Sequence, residues 1–233
     1  MTETEFYEKL SRQIFEKQFG ELQHYAIFAL LPSYLDNNES SLIYMIDHFI
    51  NVSGSETGGF YNREFDKLID DIEMAKSSNR KIILWGVSFA LLDLAEKYAP
   101  DLSDIKVFET GGMKGRKEEI TREQLHSIIK SGTGAKKIIS EYGMTEMMSQ
   151  AYSFGEMKYK KRETLEVQVM ELNDPLSVER NGRIGTLNIY DLGNIETCSF
   201  IATEDLGRVY EDGTFEVLGR KDNAEIRGCN LMS

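Results

Sequence analysis

Two stretches of this chain carry residue types that can bind a phosphorylated ligand. The first is Glu141-Tyr142-Gly143-Met144-Thr145-Glu146. A tyrosine offers a ring face to a base, a threonine a hydroxyl donor to a phosphate, and a glutamate a carboxylate for Mg2+ beside that phosphate. The glycine permits a tight turn and close backbone approach. The second stretch runs from Thr203-Glu204-Asp205-Leu206-Gly207-Arg208 to Gly219-Arg220-Lys221-Asp222. An aspartate can accept two ribose hydroxyls, and an arginine can face a phosphate. Alone, the first stretch reads equally well as a strand-ending turn with solvated side chains. The second alone reads as hairpin charges. Their presence together, in this order, favours a ligand.

The surrounding pattern supplies a frame for both. Thr2-x-x-Glu5 predicts a capped helix through about Phe19, and the apolar run Tyr25–Leu31 a buried strand closed by Pro32. Helices are expected over 40–50 and 65–75, with a glycine-rich loop over 51–59. Lys81–Val87, Ile105–Phe108 and Lys137–Ser140 read as strands. Between them lie a helix over 89–98, with Ser88 as N-cap, and a helix capped by Thr121-x-x-Gln124. Strand, helix, strand, helix, strand predicts parallel strands with crossover helices. The first stretch then falls at a strand's carboxyl end, where open α/β sheets bind ligands.

After Gln150 the pattern changes to short β-like runs. They cover 165–172, 183–190, 198–203 and 214–218, and are separated by Asn173-Asp174-Pro175, Asn181-Gly182 and Asp212-Gly213. The expected architecture is therefore α/β over residues 1–150, followed by a mostly antiparallel β subdomain over 151–233.

Composition excludes several classes. The chain has 233 residues, 41% hydrophobic and 28% charged, enough for one sizeable core. A net charge of −12 disfavours nucleic acid and anionic membrane surfaces. No apolar run approaches the ~20 residues of a bilayer span, and the acidic N-terminus has no signal-peptide core, so a cytoplasmic location is expected. The two cysteines, Cys198 and Cys229, make no zinc or disulfide pattern, and His24, His48 and His126 stand apart in sequence. Cys198, in an apolar run, is expected in the core.

The two stretches, in order and separation, resemble the nucleotide-binding motifs of adenylate-forming enzymes, which activate carboxylates with ATP. Phe108-Glu109-Thr110-Gly111-Gly112-Met113-Lys114-Gly115-Arg116 narrows the likeness, as do Ala29-Leu30-Leu31-Pro32-Ser33-Tyr34-Leu35 and Ile226-Arg227-Gly228-Cys229-Asn230-Leu231-Met232. These look like the acyl-protein synthetases of the LuxE type. The resemblance implies that Tyr142 packs on adenine, Gly143 and Thr145 lie at the phosphates, and Glu146 serves Mg2+. It places Asp205 on the ribose, Arg220 on ribose or phosphate, and Asp222 at a hinge. It also implies that a fatty acid or other carboxylate is activated with ATP and Mg2+ to an acyl-adenylate. The acyl group would then pass to Cys229, and on to an acyl-CoA reductase-like partner. A thiolate is a good nucleophile towards an acyl phosphate anhydride.

Three departures accompany the resemblance. No Ser/Thr/Gly-rich phosphate loop precedes Tyr25, and Ser53-Gly54-Ser55-Glu56-Thr57-Gly58-Gly59 lies on the wrong side of Leu30-Leu31-Pro32-Ser33. Glu204 stands where the family has glycine, and Arg227 where it has lysine. The family's catalytic-lysine domain has no counterpart here, as in the LuxE type. The expectation is a partial enzyme, inactive alone. Alternatives are a phenylacetate-CoA ligase-like enzyme and a non-catalytic assembly module whose exposed sheet edge favours homo-oligomers. The ligase ancestry requires Tyr142, Thr145, Asp205 and Arg220 to gather at one nucleotide-sized hollow.

Overall fold

A computed structural model describes residues 3–32, 40–111 and 120–221. Asp222, Arg227 and Cys229 lie outside the described residues, as do residues 33–35 and 112–116. Packing divides the described chain into two units: residues 15–141, and residues 3–14 with 142–221.

The first unit is a parallel sheet with helices between its strands. Its strands are β1 (Tyr25–Leu30), β2 (Gly59–Tyr61), β3 (Lys81–Val87), β4 (Lys106–Thr110) and β5 (Ile138–Tyr142). They lie in the order β2-β1-β3-β4-β5, every pair parallel. α1 (Glu3–Phe19) begins in the other unit and ends in this one. The crossovers are α2 (Ser41–Ser53), α3 (Phe65–Ala75), α4 (Ser88–Lys97) and α5 (Arg122–Thr133). β1 is buried at every position, as a continuous apolar run in a covered parallel sheet must be. Trp85 stacks on Phe108 at 4.5 Å between ring centroids, and Phe15 packs on Phe49 at 5.2 Å, forming an aromatic centre.

Several expectations shift here for physical reasons. α2 runs past Ile50 because its apolar face continues to Ser53, and Gly54 then ends it in the left-handed region (φ 56°). β2 is only three residues long, too short to show a period. α5 has the expected capping box, with Thr121 Oγ1 accepting from Gln124 N at 3.2 Å and Gln124 Oε1 accepting from Thr121 N at 2.9 Å. Ser88 does not cap α4. Val87 occupies the N-cap position, and Ser88 Oγ donates to Glu109 Oε1 at 2.5 Å. A capping hydroxyl accepts from a backbone N–H, whereas this hydroxyl is placed to donate to a buried carboxylate.

The second unit holds an antiparallel sheet. Its strands are β6 (Ala151–Ser153), β7 (Lys158–Lys160), β8 (Leu165–Met170), β9 (Gly185–Asp191), β10 (Phe200–Val209) and β11 (Thr214–Arg220). They run in the order β6-β7-β11-β10-β9-β8. β9 alternates buried and half-buried residues along its length, the period of a strand with one covered face. Tyr142, Tyr159, Leu187, Ile189 and Phe215 lead its core. Asn181-Gly182 and Asp212-Gly213 turn as expected, with positive φ at Gly182 (80°) and Gly213 (78°). Cys198 corrects the sequence reading: it is exposed, ahead of β10 rather than within it. Among the described residues no helix is long and apolar enough to cross a membrane.

Candidate functional site

The hairpin β10–β11 positions the second stretch. Asp205 pairs with Arg220 across the two strands, and the register then shifts between Leu206 and Gly207. Such a bulge bends the strand and re-aims its side chains. Gly207 serves backbone approach, because a Cβ there would lie 2.2 Å from the Glu216 carbonyl oxygen. Thr203 fixes the approach to Asp205: its hydroxyl donates to Leu187 O at 2.7 Å and accepts from Asp205 N at 3.1 Å. Arg208 pairs with Glu216 at 3.2 Å and is an ordinary hairpin charge.

Tyr142, at the end of β5, meets this hairpin. Its hydroxyl donates to Asp205 Oδ2 at 2.8 Å. Asp205 Oδ1 lies 3.4 Å from Arg220 Nε, and Arg220 Nη2 donates to Glu204 Oε2 at 3.1 Å. A chain of contacts thus runs Tyr142–Asp205–Arg220–Glu204. Burial and then the Asp205 charge push the Tyr142 phenol well above the ordinary tyrosine value, so it stays protonated and donates.

The ring of Tyr142 departs from the sequence reading. The residue is 7% exposed, and its ring meets Tyr159 and Phe215 edge-to-face at 5.9 and 5.8 Å. Its polar offering to the site is the hydroxyl.

Gly143, Thr145 and Glu146 are exposed, in the turn that follows β5. That turn is held from behind by residues the sequence reading missed. Asn194 Nδ2 donates to the Glu146 carbonyl at 2.7 Å, and Asp191 Oδ2 accepts from the amides of Met148 and Ser149 at 2.7 and 2.9 Å. Neither support residue lies near the turn in sequence, so no local pattern announces it. Two shallow hollows of this unit, of about 480 and 430 Å3, are lined by residues such as Lys161, Gln168, Tyr190 and Tyr210 and contain none of the motif residues. Three of the four residues expected to gather do so by direct contact. Thr145 lies in the same unit, on its surface.

The other unit has a second polar cluster, at the carboxyl ends of β3, β4 and β5. Glu109, 1% exposed, accepts from Ser88 Oγ at 2.5 Å and from Ser140 Oγ at 3.0 Å. Arg122 Nε and His126 Nε2 each stand 3.5 Å from Glu109 Oε2. Burial alone would raise this carboxyl, but Arg122, His126 and the Ser88 hydroxyl outweigh it and hold it down at about 2. Beside it, Glu141 Oε2 accepts from Thr110 Oγ1. Burial, with the Glu109 charge adding to it, raises Glu141 to about 7. The sequence hid this cluster because its members come from separate strand ends and the starts of two helices.

No family model and no curated protein matches the sequence. Solved structures do match. Unliganded o-succinylbenzoate coenzyme A synthetase (MenE) from Bacillus subtilis superposes with a TM-score of 0.66 at 16% identity, over 96% of this chain and 50% of that one. ATP-bound MatB from Rhodopseudomonas palustris gives 0.59 at 16%, over 92% and 41%. The amide bond synthetase McbA from Marinactinospora thermotolerans gives 0.56 at 15%, over 83% and 41%.

The chain shares the fold of these three enzymes. It spans half or less of each of these three enzymes. The parallel sheet and the antiparallel sheet are the two parts anticipated from sequence. At these identities the likeness establishes the fold alone.

Proposed function

We propose that this chain supplies the ribose- and phosphate-contacting side of an adenylate site in an ATP-dependent carboxylate ligase of the acyl-protein synthetase type. One observation carries the reading. Tyr142 and Asp205, 63 residues apart, meet at 2.8 Å, and Arg220 joins them at 3.4 Å. Two motifs singled out for one ligand thus share one place.

The residues present fit the ligand's chemistry. Asp205 keeps acceptor capacity for ribose hydroxyls, since a carboxylate offers about four lone-pair sites. Arg220 brings the guanidinium that pairs best with phosphate oxygens. Thr145 and Glu146 are exposed beyond the same strand end, where a hydroxyl and a carboxylate can meet phosphate and its Mg2+. Magnesium is commonly held by one or two carboxylates plus substrate phosphates, so Glu146 needs no further acidic ligands. When bound, ATP and Mg2+ would supply the activated adenylyl group, with pyrophosphate as the leaving group. This chain's residues orient the ribose and neutralise phosphate charge.

The acyl acceptor in this reading is Cys229, with a fatty acid as substrate and a reductase-like protein as recipient. The test uses the full chain with ATP, Mg2+ and a radiolabelled long-chain fatty acid. Covalent labelling that disappears in Cys229→Ser supports acyl-protein ligation. Labelled acyl-adenylate with no protein label directs the same site to another acceptor, such as coenzyme A. Neither product, together with no AMP binding, rejects the reading.

A further inference from the structure

We infer that Tyr142 acts on the nucleotide through Asp205, its hydroxyl holding that carboxylate in the orientation that receives the ribose hydroxyls. The inference rests on the nucleotide reading above. It makes Tyr142 a positioning residue rather than a platform for the base.

The geometry leads there directly. The ring is committed to the core against Tyr159 and Phe215. Its hydroxyl leaves that core and lands on Asp205 Oδ2 at 2.8 Å. The other oxygen, Oδ1, faces Arg220 Nε at 3.4 Å, and the backbone amide of Asp205 is tied to Thr203 Oγ1 at 3.1 Å. A carboxylate hydrogen-bonded at one oxygen, ion-paired at the other and tied at its own amide has few orientations left. Each oxygen still has a second lone pair to offer. The Asp205 side chain is 15% exposed, so those lone pairs have an opening to solvent. Because burial keeps the phenol protonated, Tyr142 donates and does not compete with ribose as an acceptor. Orienting the acceptor beforehand removes an ordering cost from binding.

The experiment is calorimetric titration of the full chain with AMP and with 2′,3′-dideoxy-AMP, which share base and phosphate but differ at the ribose hydroxyls. Wild type is expected to prefer AMP by about tenfold or more, the yield of hydrogen bonds to a charged acceptor. Tyr142→Phe keeps the ring and removes only the oxygen. It should weaken AMP about fivefold and leave dideoxy-AMP unchanged, so the preference shrinks. Phe215→Leu loosens the same ring packing without touching the hydroxyl. It should lower the unfolding midpoint and keep the preference. Adding Tyr142→Phe to Asp205→Asn should cost nothing further, because the two act on one contact. A Tyr142→Phe chain that retains the full AMP preference overturns the inference and leaves the nucleotide reading standing. A wild-type chain with no preference between the two ligands overturns both.

Discussion

Two carboxylates, Glu109 at the carboxyl end of β4 and Asp205 in the middle of β10, each face an arginine. Their surroundings differ in one decisive way. Glu109 is sealed, with two serine hydroxyls, Arg122 and His126 around it. Asp205 is partly open, tied to Tyr142 and Arg220, while Arg220 also reaches the half-exposed Glu204. A carboxylate with every lone pair satisfied inside the protein holds strand ends together. One with an opening to solvent and an exchangeable cation beside it can take a ligand. Both use the same residue types, so exposure and spare hydrogen-bonding capacity separate structure from function.

The sharpest way to break this contrast is to remove the sealed carboxylate. Glu109→Ala removes the carboxylate partner of Arg122 and of the buried His126, and truncating one partner of a buried charged network costs about 3–5 kcal/mol. Chemical denaturation should show a loss of that size. A loss of about 1 kcal/mol or less, the scale of an exposed pair, would place Glu109 in the same class as Asp205.

The next effect is a pH dependence that belongs to the sealed cluster alone. Glu141 is raised from the ordinary 4.5 to about 7, so folding favours its protonated form. Its stabilising contribution is full below the unfolded value near 4.5 and is lost as pH rises through about 7. The swing is on the order of 3 kcal/mol. Glu109, held at about 2, behaves oppositely: its contribution is present above about 4.5 and is lost as pH falls towards 2. Glu141→Gln keeps an acceptor for Thr110 and removes the titration. Unfolding followed from pH 4.5 to 8 should therefore show a flatter profile for the variant, which gains on wild type at the alkaline end. Parallel profiles would mean that Glu141 does not titrate in this window.

The smallest effect lies at the open site. Glu204 occupies part of the Arg220 guanidinium that a phosphate would use. Glu204→Gln should raise AMP affinity about two- to fivefold, the range of a partly exposed ion pair, and leave adenosine affinity unchanged. Equal gains for both ligands would separate Glu204 from phosphate recognition.

The frame of the molecule was legible because its signals are local. Lys81–Val87 and Phe65–Ala75 match their expected spans, since an unbroken apolar run and a helical stripe each suffice. β2, β6 and β7 escaped notice because three residues cannot show a period. The site was legible in part. Asp205 and Arg220 stood out by their motifs, and the register shift beside them is marked by Gly207 on β10 and Gly219 on β11. The direction of the Tyr142 side chain was not readable. Whether a tyrosine shows its face or its hydroxyl is decided by neighbours such as Phe215, distant in sequence. Asp191 and Asn194 were invisible for the same reason. Ser88 shows the reverse error, where a sound local rule yielded to a buried carboxylate.

The most direct test of the account is a crystal structure of the full chain grown with AMP. The account predicts the ribose hydroxyls within hydrogen-bonding distance of the Asp205 carboxylate, with the phosphate on the Arg220 side. AMP bound elsewhere with Asp205 untouched, or absent at saturating concentration, would contradict it.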